Sequence, residues 1–95
     1  MRDYELVAII SPEVDEDGVS RTMEKLGESI VDKGGTVGGI DNLGKRKLAY
    51  PLRKFMEANY ILTRFNLEPE LVKRVEGEIE TWEEVLRFLL IKVED

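Results

Sequence analysis

The sequence predicts an α+β sandwich in a single domain, and three observations carry that prediction. Two apolar stripes recur at helical spacing, and four short runs rich in β-formers surround them. Ninety-five residues leave room for one modest core and no second one.

Tyr4 to Ile10 is an apolar run of β-formers stopped by Ser11-Pro12, a first strand. Leu6, Val7, Ala8, Ile9 and Ile10 are consecutive, so either both faces are buried or one meets a partner. Asp15 offers an N-cap, with Glu16 and Asp17 well placed against the positive end of a helix. Val19, Met23, Leu26 and Ile30 follow at steps of four, three and four, one face of that helix, and Gly34-Gly35 stops it. Gly27, near the apolar face, predicts close helix–sheet packing.

Thr36 to Leu48 is extended without strict alternation, and Gly38, Gly39 and Gly44 predict a bulged or bent strand. Ala49-Tyr50-Pro51-Leu52 continues it, with Pro51 confining the stretch to an edge or a strand end. A loop is expected around Lys54 to Ala58. Asn59 to Leu67 alternates cleanly: Ile61, Thr63, Phe65 and Leu67 on one face, Tyr60, Leu62 and Arg64 on the other. Pro69 suits a first helical turn, and Leu71, Val75, Ile79 and Trp82 form the second amphipathic stripe. Val85 to Val93 closes the order as a strand apolar on both faces. The order β-α-β-β-α-β over residues 1–95 is that of the ferredoxin-like sandwich, a four-stranded antiparallel sheet with two helices on one face.

Two helices cover one side of such a sheet. The other side would carry Val7, Ile9, Tyr60, Leu62, Leu89, Ile91 and Val93. At about 25 cal/mol per Å2 that is several kcal/mol of apolar surface left in water, which monomers seldom leave without a use. A strand register slipped by one residue would scatter these side chains instead.

The net charge of −6 argues against a nucleic-acid binder until its distribution is read. Lys45, Arg46, Lys47, Arg53 and Lys54 lie within ten residues that hold no acid, which leaves −11 on the rest of the chain. Screening over about 8 Å lets this local patch, and not the distant acids, govern a contact. Tyr50 stands inside it and can stack on a base or ribose. Arg2, Arg87 and Lys92 are candidates to extend it. The competing reading is an edge strand charged against aggregation.

Catalysis has little to work with. The chain has no cysteine and no histidine, which removes disulfides, thiol chemistry, the usual zinc ligands and the commonest general base. The glutamates of the second helix read as a solvated face, and no metal is expected. Acylphosphatase-like members of this fold hold phosphate with an arginine after the first strand, where Ser11-Pro12-Glu13-Val14-Asp15 is acidic. Strand one offers Val7 and Ile9 where an RNA-recognition motif wants aromatics. No apolar run approaches the length of a membrane span.

Leu43-Gly44-Lys45-Arg46-Lys47-Leu48-Ala49-Tyr50-Pro51-Leu52-Arg53-Lys54 closely resembles a signature of the bacterial small-subunit ribosomal protein S-six family. The resemblance runs end to end, through Met1-Arg2-Asp3-Tyr4-Glu5, Pro12, Asp15, Gly34-Gly35, Ala58-Asn59-Tyr60 and Val85-Leu86-Arg87-Phe88. It implies the same fold and a cytoplasmic, non-catalytic constituent of the small ribosomal subunit. Such a protein binds the central domain of small-subunit rRNA together with ribosomal protein S-eighteen, a small basic partner. It implies no cofactor, no small-molecule substrate and no membrane. Carried over by position and charge, the RNA-facing residues are Arg2, Lys45, Arg46, Lys47, Tyr50, Arg53, Lys54 and Arg87. The partner is expected on Val7, Ile9, Tyr60, Leu62, Leu89 and Ile91. Two departures stand out: Thr81-Trp82-Glu83-Glu84 replaces an asparagine-containing turn common in similar sequences, and Asp95 ends the sequence without the long acidic tail of some relatives. The alternative is a stand-alone ferredoxin-like regulatory or ligand-binding module that dimerises through its sheet.

Overall fold

In the computed structural model, which describes residues 1–93, six elements follow in the expected order. They are β1 (Arg2–Ile10), α1 (Glu16–Asp32), β2 (Thr36–Leu52), β3 (Phe55–Leu67), α2 (Pro69–Glu80) and β4 (Val85–Lys92). Glu94 and Asp95, the end of the sequence, lie outside the described residues. The strands form one antiparallel sheet in the order β2-β3-β1-β4. This is the ferredoxin-like topology, with β1 paired on both sides and β2 and β4 at opposite edges.

The helix ends obey local chemistry. The Asp15 carboxylate accepts from the Gly18 backbone N–H at 2.8 Å, the capping contact expected of it. At the other end Gly34 takes φ +85°, and the Gly35 N–H returns to the Ile30 carbonyl at 3.0 Å. Gly35 is needed for space: a Cβ there would sit 2.6 Å from the Asn66 carbonyl oxygen. At Gly27 a Cβ would stand 3.4 Å from Ile40 Cδ1, an ordinary contact, so the helix lies against the sheet there without requiring a glycine.

Leu6, Ala8 and Ile10 of β1 join Ile61, Phe65 and Leu67 of β3 beneath the helices, and Leu26, Ile30, Val75 and Ile79 descend onto them. Tyr4 stacks on Phe65 with ring centroids 5.5 Å apart. Thr63 is fully buried in the same layer, and its hydroxyl has no hydrogen-bond partner among the described residues. Two ion pairs tie the helical layer together. Glu78 of α2 accepts from Lys33 and Ser29 of α1's C-terminal end. Glu84, in the turn before β4, accepts from Lys25 at 2.7 Å and Thr22 at 2.8 Å. Lys25 also lies over the Trp82 ring, 4.5 Å from its centroid.

Two boundaries differ from expectation. The second helix ends at Glu80, because the Thr81 hydroxyl and N–H both turn back to the Glu78 carbonyl. Trp82 therefore lies in a turn, although it still packs on the core. The expected loop around Lys54 to Ala58 is mostly strand: only Arg53 and Lys54 form the turn, and β3 starts at Phe55. Both turn residues adopt positive φ, 47° and 73°, the backbone of a two-residue hairpin turn without the usual glycine.

Candidate RNA and partner surface

The register places all six apolar candidates on the face away from the helices. Val7 lies between Leu62 on β3 and Leu89 on β4, and Ile9 between Tyr60 and Arg87. Ile91 sits opposite Glu5, whose other neighbour is Arg64. The even-numbered residues of β1 face the core, so the one-residue slip that would scatter the strip does not occur. Leu89 is 46% exposed and Ile91 57%, whereas Val7, Tyr60 and Leu62 are half-buried by their neighbours.

Ile9 is the exception, only 6% exposed on a face no helix covers. Ala58 is likewise buried without joining the core beneath the helices. The cover over Ile9 comes from the β2–β3 hairpin. Lys47 pairs with Glu57 and Leu52 with Phe55, so five steps along β2 oppose two along β3. The surplus, Leu48 to Pro51, arches out of the ladder. Leu48, Ala49, Tyr50 and Leu52 then line a cleft of about 170 Å3 with Ile9, Tyr60, Arg87 and Leu89.

The arch carries Tyr50 to the far edge of the sheet, where the Arg87 guanidinium donates to its hydroxyl at 2.8 Å. Arg53 at the turn shares a second cleft with Arg87 and with Ile79 and Glu80 at the end of α2. Lys45, Arg46, Lys47, Tyr50, Arg53, Lys54 and Arg87 are all exposed, and all lie at this end of the molecule. They do not share one face. Lys45 and Lys47 alternate with Arg46 across the pleat, and Lys45 approaches Glu57 to 4.0 Å.

Arg2 is not brought to this cluster. It pairs with Leu67 at the start of β1, while the hairpin rises beyond Ile10 and Asn59 at the opposite end of the same strand, roughly 26 Å away at about 3.3 Å per residue. Leu48 and Leu52 stand within the Leu43–Lys54 stretch but not among the expected site residues, and they are what shelter Ile9. Their signal is the failure of alternation before Pro51, but nothing in the sequence says how far the arch bends.

The acidic groups of the described residues make no competing site. Among the described residues no three acidic side chains converge where they could hold a metal ion. Hydrogen bonding from Lys33 holds the Glu78 carboxyl below its ordinary value. At Glu84 burial pushes upward, but hydrogen bonds from Lys25, its own backbone and Thr22 outweigh it and leave the carboxyl lowered. Both are structural carboxylates, ionised and already paired. No helix of the described residues is long and apolar enough to cross a membrane.

Exposed cations beside a partly open apolar strip are the features of a surface that binds other macromolecules. Comparison with known proteins gives the class its name. The family described as Ribosomal protein S6 matches residues 3–92, and the chain belongs to it. It is 37% identical over 95 residues to the small ribosomal subunit protein bS6 of Caldanaerobacter subterraneus subsp. tengcongensis, covering the full length of both. The crystal structure of 30S ribosomal protein S6 from Thermotoga maritima superposes with a TM-score of 0.92 at 26% identity, over 97% of this chain and 87% of that one. The C-terminal domain of the MgtC protein from Mycobacterium tuberculosis shares the fold alone, at a TM-score of 0.59 and 16% identity over 99% of this chain and 89% of that one. The family's role is structural and non-catalytic.

Proposed function

We propose that the protein is a cytoplasmic constituent of the small ribosomal subunit that binds small-subunit rRNA through its basic hairpin. On this reading the open sheet face takes a small basic protein, ribosomal protein S-eighteen, and the RNA site lies in the central domain. One observation carries the proposal: five cations lie on one hairpin of an otherwise acidic chain, beside an apolar strip whose Leu89 and Ile91 are exposed. Phosphate attracts the first feature, and a protein surface covers the second. A cationic partner also suits the −11 charge of the remaining chain.

The few phosphates these cations reach are too few for tight, specific binding by the chain alone, so the partner supplies the rest. The test is titration of small-subunit rRNA with the wild type and the Arg46→Ala/Lys47→Ala pair, with and without the partner, across a salt series. The pair should weaken binding and reduce the log–log salt slope by roughly 0.7–0.9 for each phosphate no longer neutralised, with folding unaffected. Unchanged affinity and slope would remove the hairpin from the RNA surface. Tight, salt-robust binding by the isolated protein would remove the need for a partner.

A further inference from the structure

We propose that Arg87 and Tyr50 form a latch that holds the basic hairpin in its binding pose, and that Arg87 acts on RNA through Tyr50 as a positioning residue. The inference rests on the hairpin being the RNA surface and adds how that surface keeps its shape.

Three observations converge on the pair. Tyr50 belongs to one edge strand and Arg87 to the other, three interstrand spacings apart, about 14 Å in a flat sheet. Arg87's row across the sheet runs through Ile9 and Tyr60 to Gly44, six residues before Tyr50, so a straight ladder would also offset the two by about 20 Å along the strand. Their 2.8 Å contact therefore exists only because the hairpin is folded across the open face. Second, the arch has no ladder to fix it: the register gives Leu48 to Pro51 no partner on β3. Of those four side chains only Tyr50 has a polar group, so the hydroxyl is the arch's one directional side-chain anchor. Third, the cations sit on both sides of this arch, Lys45 to Lys47 before it and Arg53 and Lys54 after it, so its curvature sets their spacing. Leu48 and Leu52 packed near Ile9 supply adhesion, which is non-directional and fixes no angle.

A latch and a direct phosphate contact by Arg87 make opposite predictions. Tyr50→Phe removes one oxygen and no charge. If the hydroxyl holds the arch, the amides of the ladder pairs that flank it, Lys47–Glu57 and Leu52–Phe55, should exchange faster in the variant of the free protein. Affinity for small-subunit rRNA should fall about three- to tenfold, the range of one ordinary hydrogen bond, with the salt slope unchanged. Arg87→Ala should give the same loss and the same slope, and the double variant should be no weaker than either single one, because both break one hydrogen bond.

Additive losses, a shallower slope for Arg87→Ala, or amides indifferent to Tyr50→Phe would each overturn the latch. The Arg46→Ala/Lys47→Ala pair separates this failure from failure of the underlying reading. If that pair leaves RNA affinity unchanged, the hairpin is not the RNA surface and both proposals fall. If the pair weakens binding while Tyr50→Phe does not, only the latch falls.

Discussion

Arg87 on β4 donates to the hydroxyl of Tyr50 on β2, although β3 and β1 lie between their strands. That contact divides the open face in two. At one corner Ile9 is sheltered by the chain's own hairpin. Beyond that corner Val7, Leu62, Leu89 and Ile91 remain uncovered to varying degrees. A partner on this face would meet the second region directly and the first only through Leu48, Tyr50 and Leu52.

The uncovered region can be probed with Leu89→Asp. Leu89 is 46% exposed in the free protein, so a carboxylate there stays hydrated and urea unfolding should shift by less than about 1 kcal/mol. Beneath a partner the same charge is desolvated without compensation, and partner affinity should drop more than tenfold, at about 1.4 kcal/mol per decade. Weakened folding with intact partner affinity would exclude the strip as the interface.

The turn is built against stability. Lys54 holds φ 73°, a conformation that costs an L-residue roughly 1–2 kcal/mol. Glycine removes that cost but loses roughly 0.5–1 kcal/mol in unfolded-state entropy, so the first effect wins by a small margin. Lys54→Gly should raise stability by about 0.5 kcal/mol in urea titration. RNA binding should weaken at the same time, because a patch cation is gone. A drop in stability would show that the lysine's conformation is not strained.

Thr63 marks a polar atom misplaced in the core. Its hydroxyl is fully buried and lacks a partner among the described residues, while its cross-strand neighbours are Leu6 and Ile40. Removing such a group relieves about 1 kcal/mol of desolvation, and valine has nearly the same shape. Thr63→Val should raise the unfolding free energy by that amount. A destabilised variant would mean that the hydroxyl is satisfied in solution.

The pH dependence follows from Glu84. Its folded-state carboxyl is lowered from the ordinary value of 4.5, so the unfolded chain takes up its proton first as pH falls. The stabilisation is therefore fully present above that value and disappears as pH drops through the lower, folded one. Lys25 is largely exposed, so solvent screening keeps the contribution below about 1 kcal/mol. Glu84→Gln should be less stable than the wild type at pH 7, and the gap should close in acid. A gap constant with pH would assign the difference to packing and not to the charge.

The elements were legible in the sequence because each rests on short-range periodicity. The step pattern of Val19, Met23, Leu26 and Ile30, the Asp15 cap and the alternation from Asn59 to Leu67 are local facts, and each recurs in the folded protein. The parity of Val7 and Leu89 was legible too, because a strand that buries Leu6, Ala8 and Ile10 must turn the intervening residues the other way.

The tertiary structure alone decided what surrounds those faces. No spacing rule separates Ile9, sheltered by a hairpin, from Val7, only half-buried two residues earlier. Nor does charge counting reveal that Arg2 stands a strand's length from the other cations. Both depend on where distant segments meet. The arch at Leu48 to Pro51 bends by an amount that its contacts with Ile9 and Arg87 select, and those residues lie roughly forty positions away in either direction. Periodicity determines which way a side chain points; only the closed fold determines what it meets there.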